Sequence, residues 1–346
     1  MKKEGKMKNP LGRCLLGLLL GWIVLVSPGA YFETTVIAQT HWLRVGQTDF
    51  PGGLGQAFVS DGTDLYVLRQ FLENNPISFQ RLTVKEGLVV QTTNLTPPLF
   101  DLKDGTAMAF DPDGNLYVMF GGTYSDRRQY VARFTAAQWT PLAPTPFEQG
   151  PGDALTFVSH RGQRYLYALI GAARSRRADA VTAFIRYSFS DRKWETLPVP
   201  PWDCNDGGAA LAWDGGEFVY ALQGTDCNQK PTDTFARFYL TLGLWDRLSG
   251  VPKAVSRGGS LVRSGSRYLF AATGSDTEFQ GRGFFAYDLT RQAWEETPPL
   301  NCSIGDYNGN RLAVIDGRTF YWQGAPPTWT DSAECNGRGI YLFSWR

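Results

Sequence analysis

The chain has 346 residues, enough for one large domain or two small ones, and only 19% of them are charged while 14% are aromatic. Its net charge of +1 supplies no global field that would draw in nucleic acid or an anionic membrane surface. The 38 glycines and 20 prolines suit many short strands joined by tight turns.

The first element is a leader. Residues 1–13 carry Lys2, Lys3, Lys6, Lys8 and Arg13 against Glu4, and an apolar run, CLLGLLLGWIVLV, extends from Cys14 to Val26. That run falls short of the ~20 residues needed to span a bilayer. It reads as a secretory signal. Cleavage is predicted after Ala38, making residues 1–38 the signal. A cut after Ala30 is the alternative, disfavoured by Pro28. If the segment were retained it would be a membrane anchor. The mature chain is then expected to be secreted, periplasmic or at the cell surface.

From there the chain repeats. Strand-like runs end at Gln70, Gly121, Gly171, Gly224, Gly274 and Gly324, in steps of 51, 50, 53, 50 and 50 residues. Four residues before each end stands an aromatic: Tyr66, Tyr117, Tyr167, Tyr220, Phe270 and Phe320. Each copy begins with a run of small and apolar residues (QAFVS, TAMAF, ALTFV, AALAW, GSLVR, RLAVI). A tight turn follows, often Asp-Gly, and signals a hairpin. Then come the aromatic strand, a longer polar loop, a third strand such as FFAYDL, and a fourth strand centred on Trp139, Trp194, Trp245 or Trp294. Four antiparallel strands every ~50 residues make a propeller blade.

The sixth copy stops after its third strand, IYLFSWR. The missing fourth strand is found at the other end, in HWLRVGQTDFP. Trp42 precedes Gln70 by 28 residues, close to the 29–32 that separate the other tryptophans from the next strand end. Residues 41–47 are therefore predicted to complete blade six and close the ring. Residues 39–346 form a single all-β domain, a six-bladed β-propeller, expected to be a monomer.

The order of residue types resembles kelch repeats: an aromatic strand into glycine (doubled at Gly121-Gly122), Tyr287-Asp288, a tryptophan seven residues on, then Thr-Pro-Pro. The resemblance covers residues 41–346. Blade one departs from it, with Gln70 in place of glycine and Val89-Val90 where tryptophan belongs. Kelch propellers include binding scaffolds and a few enzymes, so the resemblance implies a fold and not an activity. Six-bladed exported kelch enzymes that interconvert sialic acid anomers are the nearest enzymatic analogue.

The lead-in to strand one and the loop between strands two and three lie on one face of an antiparallel blade. Cys204 and Cys227 flank blade four in this way, and Cys302 and Cys335 flank blade six. Disulfides Cys204–Cys227 and Cys302–Cys335 are predicted. The cysteine spacings match no zinc pattern, so no metal site is expected from them.

The same face carries the long loops, where binding residues usually sit. Arg127, Arg128, Arg174, Arg176 and Arg177 could form a basic patch for a carboxylate or sulfate group. Tyr124, Trp202, Tyr307 and Trp329 could stack on a sugar or peptide. Asp104, Asp153, Asp206 and Asp306 each stand 17 or 18 residues before a strand end, at the mouth of the channel. They could hold a calcium ion. Their alternative role is to accept backbone hydrogen bonds in glycine-rich turns. No other cofactor is implied.

Enzyme chemistry has little support in the sequence. The two histidines, His41 and His160, are placed in the closing strand and in a turn on the opposite face, so they share no site. The reading favoured is an exported scaffold that binds an extracellular or cell-surface glycan or protein through its loops. The alternative is an enzyme of the sialic acid mutarotase or epimerase type, working with carboxylates and arginines.

Overall fold

Each repeat folds into a four-stranded antiparallel sheet, because its apolar runs alternate sides and its turns carry residues that accept left-handed backbone. The computed structural model describes residues 42–49, 51, 54–70, 76–123, 126, 128–171, 182–274, 282–300, 311–323 and 336–344. The chain enters as β1 (Trp42–Gln47). Blade one is β2 (Leu54–Ser60), β3 (Asp64–Gln70), β4 (Ser78–Lys85) and β5 (Leu88–Asn94). Blade two is β6 (Ala107–Phe110), β7 (Leu116–Met119), β8 (Val131–Thr135) and β9 (Gln138–Pro141). Blade three is β10 (Ala154–His160), β11 (Gln163–Ile170), β12 (Ala183–Ser188) and β13 (Lys193–Leu197). Blade four is β14 (Ala210–Trp213), β15 (Phe218–Leu222), β16 (Phe235–Tyr239) and β17 (Leu244–Arg247). Blade five is β18 (Ser260–Ser264), β19 (Tyr268–Ala272), β20 (Phe284–Asp288) and β21 (Ala293–Glu296). Blade six is β22 (Arg311–Ile315), β23 (Arg318–Trp322) and β24 (Gly339–Phe343), with β1 as its outer strand.

The first strands β2, β6, β10, β14, β18 and β22 stand side by side around the axis, and β22 meets β2. Closure follows the sequence expectation: β1 pairs antiparallel with β24, Trp42 opposite Phe343 and Gln47 opposite Gly339. Closure packs the last blade against the first and leaves each sheet only its own short edge strands. Trp42 is buried against Phe284, Tyr321 and Phe343, so the last joint is an aromatic cluster.

The fourth-strand tryptophans pack on the preceding blade. Trp139 lies 5.6 Å from Phe79, Trp245 4.8 Å from Phe184 and Trp294 4.9 Å from Phe235, ring centre to ring centre. Each indole N–H also donates to a carbonyl in the linker that leaves the blade before: Trp139 to Thr96, Trp194 to Ala143, Trp245 to Pro198 and Trp294 to Ser249. In blade one the position is Val89, and the facing residue is Gly46, where an added Cβ would come within 2.6 Å of the valine. The smaller side chain is matched by a closer backbone.

Trp245→Phe should keep most of the apolar contact and lose the 2.8 Å bond to Pro198, destabilising the fold by about 1 kcal/mol. Trp245→Ala should lose about 3 kcal/mol in urea unfolding. An undiminished stability in Trp245→Phe would rule out a contribution from that bond.

The β8–β9 hairpin turns through Ala136 (φ 47°) and Ala137 (φ 62°), positions where glycine or asparagine is at ease and alanine is strained. Ala137→Gly should therefore stabilise the protein, by about 1 kcal/mol, in the same measurement.

Candidate functional site

The strand-end glycines exist because two backbones cross there. An added Cβ would lie 2.2 Å from the Asp104 carbonyl oxygen at Gly121, and 1.8 Å from that of Pro151 at Gly171. At Gly224 it would lie 2.0 Å from the Gly207 oxygen, and at Gly274 2.3 Å from that of Arg257. Glycine lets the lead-in of strand one press against the end of strand two. Blade one uses Gln70 instead, whose side chain reaches blade two: it accepts from the Leu102 N–H at 2.9 Å and donates to Asp101 at 3.3 Å.

These pressed lead-ins form the channel mouth on the loop face. Asp104, Asp153 and Asp206 come from blades two, three and four, Arg257 from blade five and Arg311 from blade six. They border a cavity of about 50 Å³. Asp153 is buried and accepts hydrogen bonds from the N–H groups of Gly171 (2.7 Å) and Gly150 (3.1 Å), the backbone role anticipated for this series. Burial pushes its carboxyl well above the usual aspartate range, and those two donors pull against that. Asp206 is fully buried and lies 3.4 Å from Arg257. Asp104 is half-buried. Burial raises its pKa, opposed by the charges of Arg257, Arg311 and Lys103. Arg311 donates to the carbonyls of Gln56 in blade one (3.2 Å) and Gly259 in blade five (3.4 Å). Part of its surface borders the channel, yet it lies deep in the ring, and burial lowers its pKa to about 10.

Among the described residues no three carboxylates, thiols or imidazoles come together to hold a metal ion. At the position where calcium was one of two roles open, Asp153 is bonded to backbone and Asp206 is paired with arginine. The fourth carboxylate, Asp306, lies outside the described residues.

Of the expected basic patch, Arg128 is described. Its Nε donates to Asp126 at 2.9 Å and its Nη1 to the Asp101 carbonyl at 2.7 Å, so it knits blade two's loop to the linker before it. Arg127, Arg174, Arg176 and Arg177 lie outside the described residues, as do Tyr124, Tyr307 and Trp329. Trp202 is half-buried, its ring 6.0 Å from that of Trp245 on blade four.

Cys204 and Cys227 are joined, with Cα atoms 5.6 Å apart, which ties blade four's lead-in to its long loop. A closed loop of this length contributes about 3 kcal/mol through chain entropy. The Cys302–Cys335 pair and His41 lie outside the described residues. His160 is at the end of β10 on the turn face, 3.1 Å from Glu217, whose carboxyl is held below its usual range by the Thr241 hydroxyl and by His160.

Arg257 and Arg311 were not singled out by the sequence. Arg257 had a signal: it stands 17 residues before Gly274, the same spacing as Asp104 before Gly121. Blade five simply carries the opposite charge. Arg311 opens a first strand, and its reach to two other blades depends on closure of the ring.

No protein-family model matches the chain, and no curated protein does. A solved structure titled "Structure of YjhT" is similar over 86% of this chain and 96% of its own, with a TM-score of 0.61 and 16% identity. At that identity the likeness shows the fold alone: a six-bladed β-propeller.

A carboxyl with a raised pKa in the folded state stabilises the fold at low pH, and that contribution is lost as pH rises through the raised value. Wild-type protein should therefore lose stability relative to Asp104→Asn as pH climbs from below the ordinary aspartate range through the Asp104 value. Parallel urea-unfolding profiles for the two proteins would contradict the burial cause.

Proposed function

We propose that the chain is an exported kelch-type propeller that binds an extracellular or cell-surface glycan or protein through its loop face. The observation that carries this reading is the convergence of Arg257 and Arg311 with Asp104 and Asp206 at the channel mouth, from four different blades. Two guanidiniums on a rigid ring recognise an anionic group well, and the neighbouring carboxylates accept from its hydroxyl or amide groups. In this reading residues 1–38 are the removed signal, and Arg127, Arg174, Arg176, Arg177, Tyr124, Tyr307 and Trp329 extend the binding face around the mouth. The Cys204–Cys227 bond supports an oxidising compartment.

A second reading has one specific support. Asp104, with a carboxyl raised by burial and cations around it, is suited to acid–base work on an acidic sugar, such as anomer interconversion.

The two separate in one pair of experiments. On a glycan array the wild type should retain acidic glycans, and Arg257→Ala should bind them about tenfold more weakly. Exchange spectroscopy by NMR on the retained sugar should show no acceleration of anomer exchange. Exchange that is accelerated, and lost in Asp104→Asn, would replace the binding reading with the enzymatic one. An array without any retained glycan, together with no protein captured, would end both.

A further inference from the structure

A second cavity, of about 460 Å³, follows the axis toward the turn face and is walled by the first strands of all six blades. This volume lies in the range of small-molecule sites. Much of the wall is small and aliphatic, with Ala109, Ala212 and Leu261 among its members, and its rim on the turn face includes Asp61, Asp111, Trp213 and Arg263.

Three of these rim groups already have partners. Asp61 accepts from the backbone N–H groups of Thr63 and Asp64 and from the Tyr66 hydroxyl. Asp111 is paired with Arg164 at 2.8 Å and accepts from Tyr117. The Trp213 N–H donates to the Gly216 carbonyl. Arg263 differs. Its Nε is buried and has no hydrogen-bond partner, and the side chain makes no ion pair among the described residues. Its guanidinium lies over Gly215 of blade four, where an added Cβ would fall 2.1 Å from Nη1. The glycine makes room for the arginine, and the close fit holds it at the rim.

A guanidinium presents a fork of donors that matches a carboxylate in two parallel bonds. Asp111 is neutralised by Arg164 and Asp61 is held by its own turn and the Tyr66 hydroxyl, while the Arg263 guanidinium has no ion pair among the described residues, so the group that complements it is an anion. Behind it the aliphatic wall accepts an apolar body. We propose that the chamber binds a small amphipathic carboxylate from the turn face, with its charge on Arg263 and its apolar body along the alanine and leucine wall. This site lies at the opposite end of the channel from the loop-face mouth and does not depend on the function proposed for that mouth.

The test uses the disulfide-intact chain, with sodium benzoate as probe and benzamide as its neutral counterpart, in isothermal titration. Benzoate should bind saturably below about 10 mM, and benzamide at least about tenfold more weakly. Arg263→Gln should lose about tenfold in benzoate affinity with an unchanged melting temperature, and Arg263→Lys, which keeps the charge without the fork, should fall between. Arg257→Gln, at the other mouth, should leave benzoate affinity as it was. Should Arg263→Gln fail to fold, the Arg263→Lys shift decides alone. Equal affinity for benzoate and benzamide, no saturable binding of benzoate, no loss in Arg263→Lys, or a loss confined to Arg257→Gln would each overturn the proposal.

Discussion

At four successive joints one indole ties each blade to the one before it. Apolar packing alone would allow neighbouring sheets to slide, because it has no direction. A hydrogen bond from the indole to a linker carbonyl is directional, and it recurs at four successive joints with lengths of 2.9, 2.9, 2.8 and 3.0 Å. The requirement is strict because the ring must close. A small error repeated at every joint would leave β1 unable to meet β24. At the joint with no tryptophan, Val89 and Gly46 replace the large wedge with direct backbone approach, and the final blade is held by the cluster around Trp42.

The crossing of lead-in and strand end links this frame to the channel mouth. Once a glycine allows the carbonyl of residue 104, 151, 207 or 257 to press against it, a side chain at that residue or within two residues of it borders the mouth. Whatever stands in that position faces the mouth. In blade three it is used for structure, since Asp153 bonds two backbone N–H groups of its own blade. In blades four and five Asp206 and Arg257 face each other across a joint, a contact set by blade geometry.

The regular parts of the molecule were legible in the sequence because they repeat. Blade number, strand order, closure by Trp42 and the Cys204–Cys227 bond all follow from spacing, which a six-fold comparison averages over local irregularity. The site was legible only in part. The aspartates were found because they recur, while Arg257 was passed over because it breaks the series at the same spacing. Arg128 looked free in sequence, since nothing in local spacing places Asp126 and the Asp101 carbonyl around its guanidinium. Trp202 could be read in sequence as a stacking ring, and the fold brings Trp245 beside it. Positions fixed by blade geometry can be read from one chain; the side-chain partners of Arg128, Trp202 and Arg311 cannot.

Arg311 shows why closure and the chemistry of the mouth are one problem. Its side chain starts in blade six and donates to carbonyls of blades one and five, so it occupies this place only after the first and last blades have met. Burial weakens its hold on its proton, and burial likewise raises the proton affinity of Asp104 nearby. Each group is pushed toward its neutral form by the protein and pulled back toward its charged form by the other. A ligand that brings an anionic group to the mouth would lean on Arg311 and Arg257 and loosen that mutual hold, leaving Asp104 with less reason to stay ionised. An anion brought to the mouth would therefore be accompanied by proton uptake, a consequence of opposed charges held together under burial.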